Sequence, residues 1–248
     1  MISDLERASD RIHDAIAETY GYETEQDLDG RIKVGLLRRH LAPTSKVLDV
    51  GCANGLHLVR AARLSSQVVG ADINERMLEL ARARIRADGL ENAAVVQASA
   101  VDLPFDQGSF DAVYSFSTLL LIPDIHRALN EIARVLAPQG VAILDIVGRR
   151  NVSYWRWREW YRSEGHFGAH AMSWSQLTHV LARRRLVPFE VHGTGFLRQW
   201  RYVPLLRKLE RVDRVARSER LERLDYRLSN SRPIHRLANR WYVVARKE

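Results

Sequence analysis

Val47-Leu48-Asp49-Val50-Gly51-Cys52-Ala53-Asn54-Gly55 carries the architecture of this chain in miniature. Residues 46–50 are a short apolar run bounded by Pro43-Thr44 and by Gly51, the signature of a buried strand. Residues 56–63 then place apolar side chains at helical spacing. A glycine at such a strand-to-helix junction lets the backbone approach a ligand with no Cβ in the way. A ligand held there lies outside the carboxyl end of the sheet, near the point where strand order reverses.

Working outward, the same alternation repeats. Strands are predicted at 67–71, 94–97, 110–115 and 140–147, and helices at 29–41, 75–88 and 125–136, with a further helix over 3–20. Strands alternating with helices imply βαβ units and a parallel sheet. Past residue 150 the character changes to a tryptophan-rich stretch over 154–161, a helix at 175–185 and a strand at 187–192. An arginine-rich helical segment follows over 200–228, and a closing strand at 241–246. A strand, a long insertion and a strand point to a helical cap inserted late in the sheet.

Asp72 stands 21 residues after Gly51 and ends the strand Val68-Val69-Gly70-Ala71. An acid there can accept hydrogen bonds from both ribose hydroxyls of an adenosine. A nicotinamide dinucleotide is the first ligand to weigh, but its fingerprint is G-x-G-x-x-G with a free helix N-terminus for the pyrophosphate. This chain has G-x-x-x-G, and Asp49 two residues before the first glycine would repel a pyrophosphate. The same charge suits a ligand carrying an ammonium and a sulfonium.

The 248 residues are 46% hydrophobic and 27% charged, a globular composition. No apolar run approaches the ~18 residues of a spanning helix, and the first residues lack the layout of a secretory signal. The cytosol is therefore expected. Cys52 is the one cysteine, so neither an internal disulfide nor a cysteine zinc cluster can form, and the scattered acids of the second half predict no metal site. The net charge is +8, and residues 191–248 alone hold 15 Lys and Arg against 6 Asp and Glu. Such a segment attracts anionic substrates, nucleic acid or acidic membrane, or is simply a solvated helical face.

Four blocks in order resemble the class I S-adenosylmethionine-dependent methyltransferases, in particular their small-molecule type 11-like domain. Asp49–Gly55 is similar to motif I, D-x-G-x-G-x-G. Asp72-Ile73-Asn74-Glu75-Arg76-Met77-Leu78 resembles the second-strand acid and the residues flanking adenine. Asp102-Leu103-Pro104-Phe105 with Ser109-Phe110-Asp111-Ala112-Val113 resembles the segment leading into the fourth strand. Glu131-Ile132-Ala133-Arg134-Val135-Leu136-Ala137-Pro138-Gln139-Gly140 resembles the turn into the fifth. The resemblance covers about residues 30–150.

It implies an α/β, Rossmann-like fold with a seven-stranded, mostly parallel sheet and helices on both faces. The expected division is N-terminal helices or lid over 1–41, a cofactor-binding core over 42–150, and an acceptor-side cap with the last strands over 151–248. The implied cofactor is S-adenosyl-L-methionine, leaving S-adenosyl-L-homocysteine. Asp49, Gly51, Cys52, Ala53 and Gly55 would hold its methionine part, Asp72 its ribose, and Ile73 and Met77 its adenine. Ser99, Ala100 and Val101 would lie beside the adenine amino group, and Ser115 and Phe116 would floor the pocket at the methyl. Ala53 replaces the family's middle glycine, which removes freedom to adopt positive φ. Ser99 replaces an acid, a neutral acceptor for a charged one.

The expected activity is methyl transfer to a small-molecule or glycan acceptor, an anionic one included, with oxygen ranked ahead of nitrogen. An oxygen acceptor usually needs a base near its working pH, and His166 and His170 are the candidates. Either could instead pin its loop. Trp155, Trp157, Trp160 and Tyr161 could line an acceptor pocket or form the core of the cap, and Tyr20 and Tyr22 could form a lid. Three rivals stand behind this reading. An RNA methyltransferase is motivated by the arginines, but the fourth strand ends Tyr114-Ser115-Phe116-Ser117 with no base-amino methylator motif. A membrane-peripheral enzyme of a lipid-linked substrate would use residues 198–240. A scaffold would keep the fold and lose the chemistry.

Overall fold

The computed structural model describes residues 27–150, 154–163, 170–197 and 218–248, without the side chains of Trp157, Trp160 and Tyr161. The helix expected over 3–20, Tyr20, Tyr22, His166 and residues 198–217 of the arginine-rich segment lie outside these described residues.

Helix α1 (Leu28–His40) leads into β1 (Lys46–Val50), α2 (Leu56–Ala62), β2 (Gln67–Asp72), α3 (Glu75–Ala87) and β3 (Ala93–Gln97). Strand β4 (Phe110–Ser115), a 3₁₀ turn (Leu119–Leu121), α4 (Ile125–Val135) and β5 (Leu136–Val147) complete the core. Beyond it come α5 (Tyr154–Ser163), α6 (Trp174–Ala182), β6 (Leu186–Thr194), α7 (Glu219–Ser229), a second 3₁₀ turn (Ile234–Leu237) and β7 (Arg240–Lys247). Seven strands form one sheet in the order β3-β2-β1-β4-β5-β7-β6, parallel except that β7 runs antiparallel to both neighbours. The Rossmann-like α/β architecture is thus the one expected, and strand order reverses between β1 and β4.

Alternation along the strands divides the core into two. Leu48 and Val50 of β1, with Trp241 and Val243 of β7, face the layer of α4 and α6. Val47, Tyr114, Tyr242 and Val244 face the layer of α1, α2 and α3. Each large apolar side chain so buried contributes about 1.5–3 kcal/mol. Helix starts are fixed by side-chain caps: Asp27 on Gly30, Asn74 on Met77, Asp124 on Arg127 and a Ser173–Gln176 capping box.

Strand β5 begins at Leu136, earlier than the predicted Gly140, because Leu136 pairs with Phe110 before the register shifts and Ala112 pairs with Val141. Helix α7 buries a polar face. Asp225 and Ser229 are fully buried while Leu224 is 48% exposed. Asp225 accepts the backbone N–H of Gly195 at 2.8 Å and that of Leu197, and Ser229 Oγ accepts that of Phe196 at 3.2 Å. So α7 is moored by satisfying the turn after β6, whose donors have left the sheet.

Replacing Asp225 strands two N–H groups. Asp225→Ala should lower the unfolding free energy in urea by about 2–4 kcal/mol, and Leu224→Ala by under about 0.5 kcal/mol. Equal losses would refute this mooring.

Candidate active site

At the carboxyl end of β1 the chain turns sharply. Gly51 N–H and Cys52 N–H donate to the Ala71 carbonyl at 2.7 and 3.2 Å, which sets the turn against the end of β2. Gly51, Ala53 and Gly55 all have positive φ, at 78°, 45° and 76°. A Cβ at Gly51 would stand 2.2 Å from the Thr118 side chain, so the approach of the β4 loop admits only glycine. Ala53 takes the left-handed conformation despite its Cβ, contrary to what its side chain suggested. Its N–H donates to Asp72 Oδ2 at 2.9 Å. A charge-assisted bond of about 1.5–3 kcal/mol matches or exceeds the roughly 1–2 kcal/mol of left-handed strain.

Asp72 Oδ1 accepts the N–H of Asn74 at 3.0 Å, and Asn74 Oδ1 in turn caps α3 at Met77 N–H, 2.7 Å away. Asp72 is therefore held by backbone on two sides, with its carboxylate lining a pocket. Gly51, Ala53, Ile73, Met77, Ala98 and Ala100 form one half of that pocket. Ser117, Thr118, Leu121 and Ile122 form the other.

Several residues expected at the site stand behind this surface. Asp49 is 3% exposed and accepts Tyr114 Oη–H at 2.9 Å; the two are partners in register across β1 and β4. Burial drives the Asp49 carboxyl up to about 8, aided by the Asp72 charge and opposed by the Tyr114 hydrogen bond and by Lys33. Cys52 lies buried in the core under Gly70, and burial with the Asp72 and Asp49 charges pushes its thiol well up, the opposite of a nucleophile. Ser99 Oγ accepts the Val101 N–H at 3.3 Å, and Val101 joins the core. Ser115 Oγ donates to the Val50 carbonyl at 2.9 Å, tying β4 to β1. Phe116 packs against Tyr114 and His57.

His170 N–H donates to the Leu120 carbonyl at 2.8 Å, and its Nε2 lies 2.7 Å from the Pro123 carbonyl. The histidine thus meets the 3₁₀ turn whose last residue, Leu121, lines the pocket with the following Ile122. Tyr154 is buried, while Trp155 is 70% exposed beneath the Arg158 guanidinium.

The sequence reading missed Ala98, Thr118, Leu121 and Ile122 of the lining, and also Ser117 with the three charged residues that meet it. Ser117 adopts φ 58°, and its N–H donates to Asp145 Oδ2 at 3.0 Å. Its Oγ accepts from Lys33 Nζ and Arg240 Nη1, each at 3.0 Å. Arg240 also pairs with Asp145 Oδ2 at 2.6 Å, and Lys33 Nζ stands 5.5 Å from the Phe116 ring centre. Lys33 and Asp145 are buried. A buried lysine and aspartate break the expectation for charged residues, but nothing local in sequence marks partners 84, 28 and 123 residues from Ser117.

Residues 48–144 match the family model described as a methyltransferase domain. Methyltransferase GfsG of Streptomyces halstedii is 41% identical over 107 residues, 42% of this chain and 38% of that protein. Demethylmenaquinone methyltransferase of Symbiobacterium thermophilum is 39% identical over 105 residues, 41% of this chain and 42% of that protein. The chain thus spans about two fifths of the length of these curated relatives. Among solved structures, the [4+2]-cyclase SpnF shares the fold with a TM-score of 0.68, over 99% of this chain and 96% of that one, at 19% identity. Residues 48–144 are thus similar to a methyltransferase domain, both to the family model and to these curated relatives. No described helix is long and apolar enough to cross a membrane.

The folded Asp49 carboxyl binds its proton up to about pH 8, against 3.8 ordinarily. Its contribution to stability is full in acid and is lost as pH rises through the folded value. The wild-type unfolding free energy should fall by up to about 1.4 kcal/mol per pH unit between pH 5 and 8. Asp49→Asn, which keeps an acceptor for Tyr114, should flatten that slope. Denaturation at pH 5, 6.5 and 8 measures it; an unchanged slope in the variant refutes the assignment.

Proposed function

We propose that this chain uses the pocket to bind S-adenosyl-L-methionine and methylates a small-molecule acceptor. The observation that carries the reading is Asp72. Its carboxylate lines the pocket at the end of β2, oriented by two backbone donors and beside the apolar Ile73 and Met77. A ribose diol needs such an acceptor, and adenine needs such walls. The small residues Gly51 and Ala53 leave room for the methionine part. Asp49, Cys52, Gly55, Ser99, Val101, Ser115 and Phe116 support this surface from behind. The cofactor, when bound, supplies a methyl group on a sulfonium.

What remains for the protein is alignment of the acceptor and exclusion of water. Ser117, Thr118, Leu121 and Ile122 form the half of the pocket left for the acceptor. The match to a demethylmenaquinone methyltransferase favours an acceptor with an apolar body. Oxygen stays ahead of nitrogen as the methylated atom. His170, whose Nε2 meets the Pro123 carbonyl beside the pocket-lining turn, is the first candidate base. His166 remains the second candidate base.

Titration calorimetry with S-adenosylmethionine and S-adenosylhomocysteine tests the cofactor assignment. Wild type should bind both at micromolar Kd, and Asp72→Ala should weaken binding by about 2–4 kcal/mol, the cost of losing a charged acceptor and loosening Ala53. No heat from folded wild-type protein would overturn the reading.

A further inference from the structure

A second hollow opens on the same edge of the sheet, between the start of α6, the last residues of β6, the first of β7 and the 3₁₀ turn at Ile234–Leu237. It lies on that edge because β7 is antiparallel, so Arg240 and Trp241 sit beside Val147 and Ile146 at the carboxyl end of β5.

Its aromatic floor is fixed. Trp241 Nε1–H donates to the His235 carbonyl at 2.8 Å. Trp174 stands edge-on to the Trp241 ring at 5.4 Å and to the His235 ring at 5.3 Å. Asn230 also lines the hollow, but its amide is engaged: Oδ1 accepts Gly193 N–H at 2.8 Å, and Nδ2 donates to the Gly193 and Tyr226 carbonyls at 2.9 and 2.7 Å.

Ser229 Oγ is engaged by Phe196 N–H, and the remaining polar side chains are two arginines and a histidine. Arg232 and Arg236 are exposed at the rim, and neither makes an ion pair with a carboxylate among the described residues. His235 Nδ1 is buried and has no hydrogen-bond partner there. The lining contains no Asp or Glu. Burial and the Arg236 and Arg232 charges hold the His235 imidazole below its ordinary value, which reports the same positive potential.

Paired arginines present planar forks that fit an oxyanion bidentately, and an adjoining indole offers contact to an apolar or aromatic body. We propose that this hollow is a second binding site, one that takes an oxyanion, phosphate or carboxylate, between Arg232 and Arg236, with the body that carries it against Trp174. It is separate from the Asp72 pocket and does not depend on the methyl-transfer reading.

The test titrates the full chain with inorganic pyrophosphate and, separately, malonate, followed by calorimetry and indole fluorescence at low ionic strength. The two anions distinguish a phosphate from a carboxylate site. Saturable one-to-one binding of either is expected. It should weaken at least about tenfold in R232A/R236A and stay unchanged in R183A/R220A, a pair of exposed arginines elsewhere. The fluorescence response should vanish in Trp174→Phe, while the calorimetric binding persists. Both arginines of the first pair are exposed and make no ion pair with a carboxylate among the described residues, so folding is not at stake, and unfolding temperatures check it. No saturable binding of either anion overturns the proposal. So does equal weakening by the two double variants, which would mean a diffuse basic surface.

Discussion

The Asp72 carboxylate accepts the N–H of Ala53 with one oxygen and the N–H of Asn74 with the other. Those two amides belong to different turns, one after β1 and one after β2. Because both turns end on one carboxylate, neither can move without breaking a charge-assisted bond of about 1.5–3 kcal/mol. The left-handed Ala53, the cap of α3 at Asn74 and the positions of Ile73 and Met77 all follow from this shared anchor. So does the shape of one half of the pocket.

The opposite half is held by different means. There, Ser117 is the common partner of Lys33, Asp145 and Arg240, drawn from α1, β5 and β7. Three charged groups in a largely buried cluster stabilise little as a set, because desolvation offsets most of the attraction. Removing any one member leaves another charge uncompensated and is costly. The cluster therefore works less as glue than as a constraint. It fixes Ser117 in a left-handed conformation and, through it, the direction in which Thr118 and the 3₁₀ turn leave β4.

How much of this was legible depended on range. The sheet, its alternating helices and Asp72 were readable because each rests on patterns of a few residues: a period of two, a period near 3.6, and an acid at a strand end. Ala53 was misread since side-chain identity states a conformational preference and not the hydrogen bond that overrides it. Asp49 was assigned to the ligand by its type and spacing. Its pairing with Tyr114 needs the register of β1 against β4, which emerges only when the sheet is assembled. Lys33, Ser117, Asp145 and Arg240 carry no local signature. They meet because three strands and one helix converge on the same edge. Helix α7 was read within an arginine-rich helical segment, yet Asp225 and Ser229 moor it, because the turn after β6 has backbone donors that polar side chains satisfy.

The two halves of the pocket thus differ in what sets their geometry. Around Asp72 the donors are backbone N–H groups with no rotamers to lose, so little entropy opposes the arrangement. Around Ser117 the donors are the long side chains of Lys33 and Arg240, each of which gives up about 1.5–2 kcal/mol of rotamer freedom when fixed. The first half is accordingly stiff and local, and the second is assembled from distant parts and sensitive to any of them. A substitution far from the pocket in sequence, on α1 or at the start of β7, reaches this second half directly through Ser117. The Asp72 half is insulated from such changes by the backbone bonds that its carboxylate gathers.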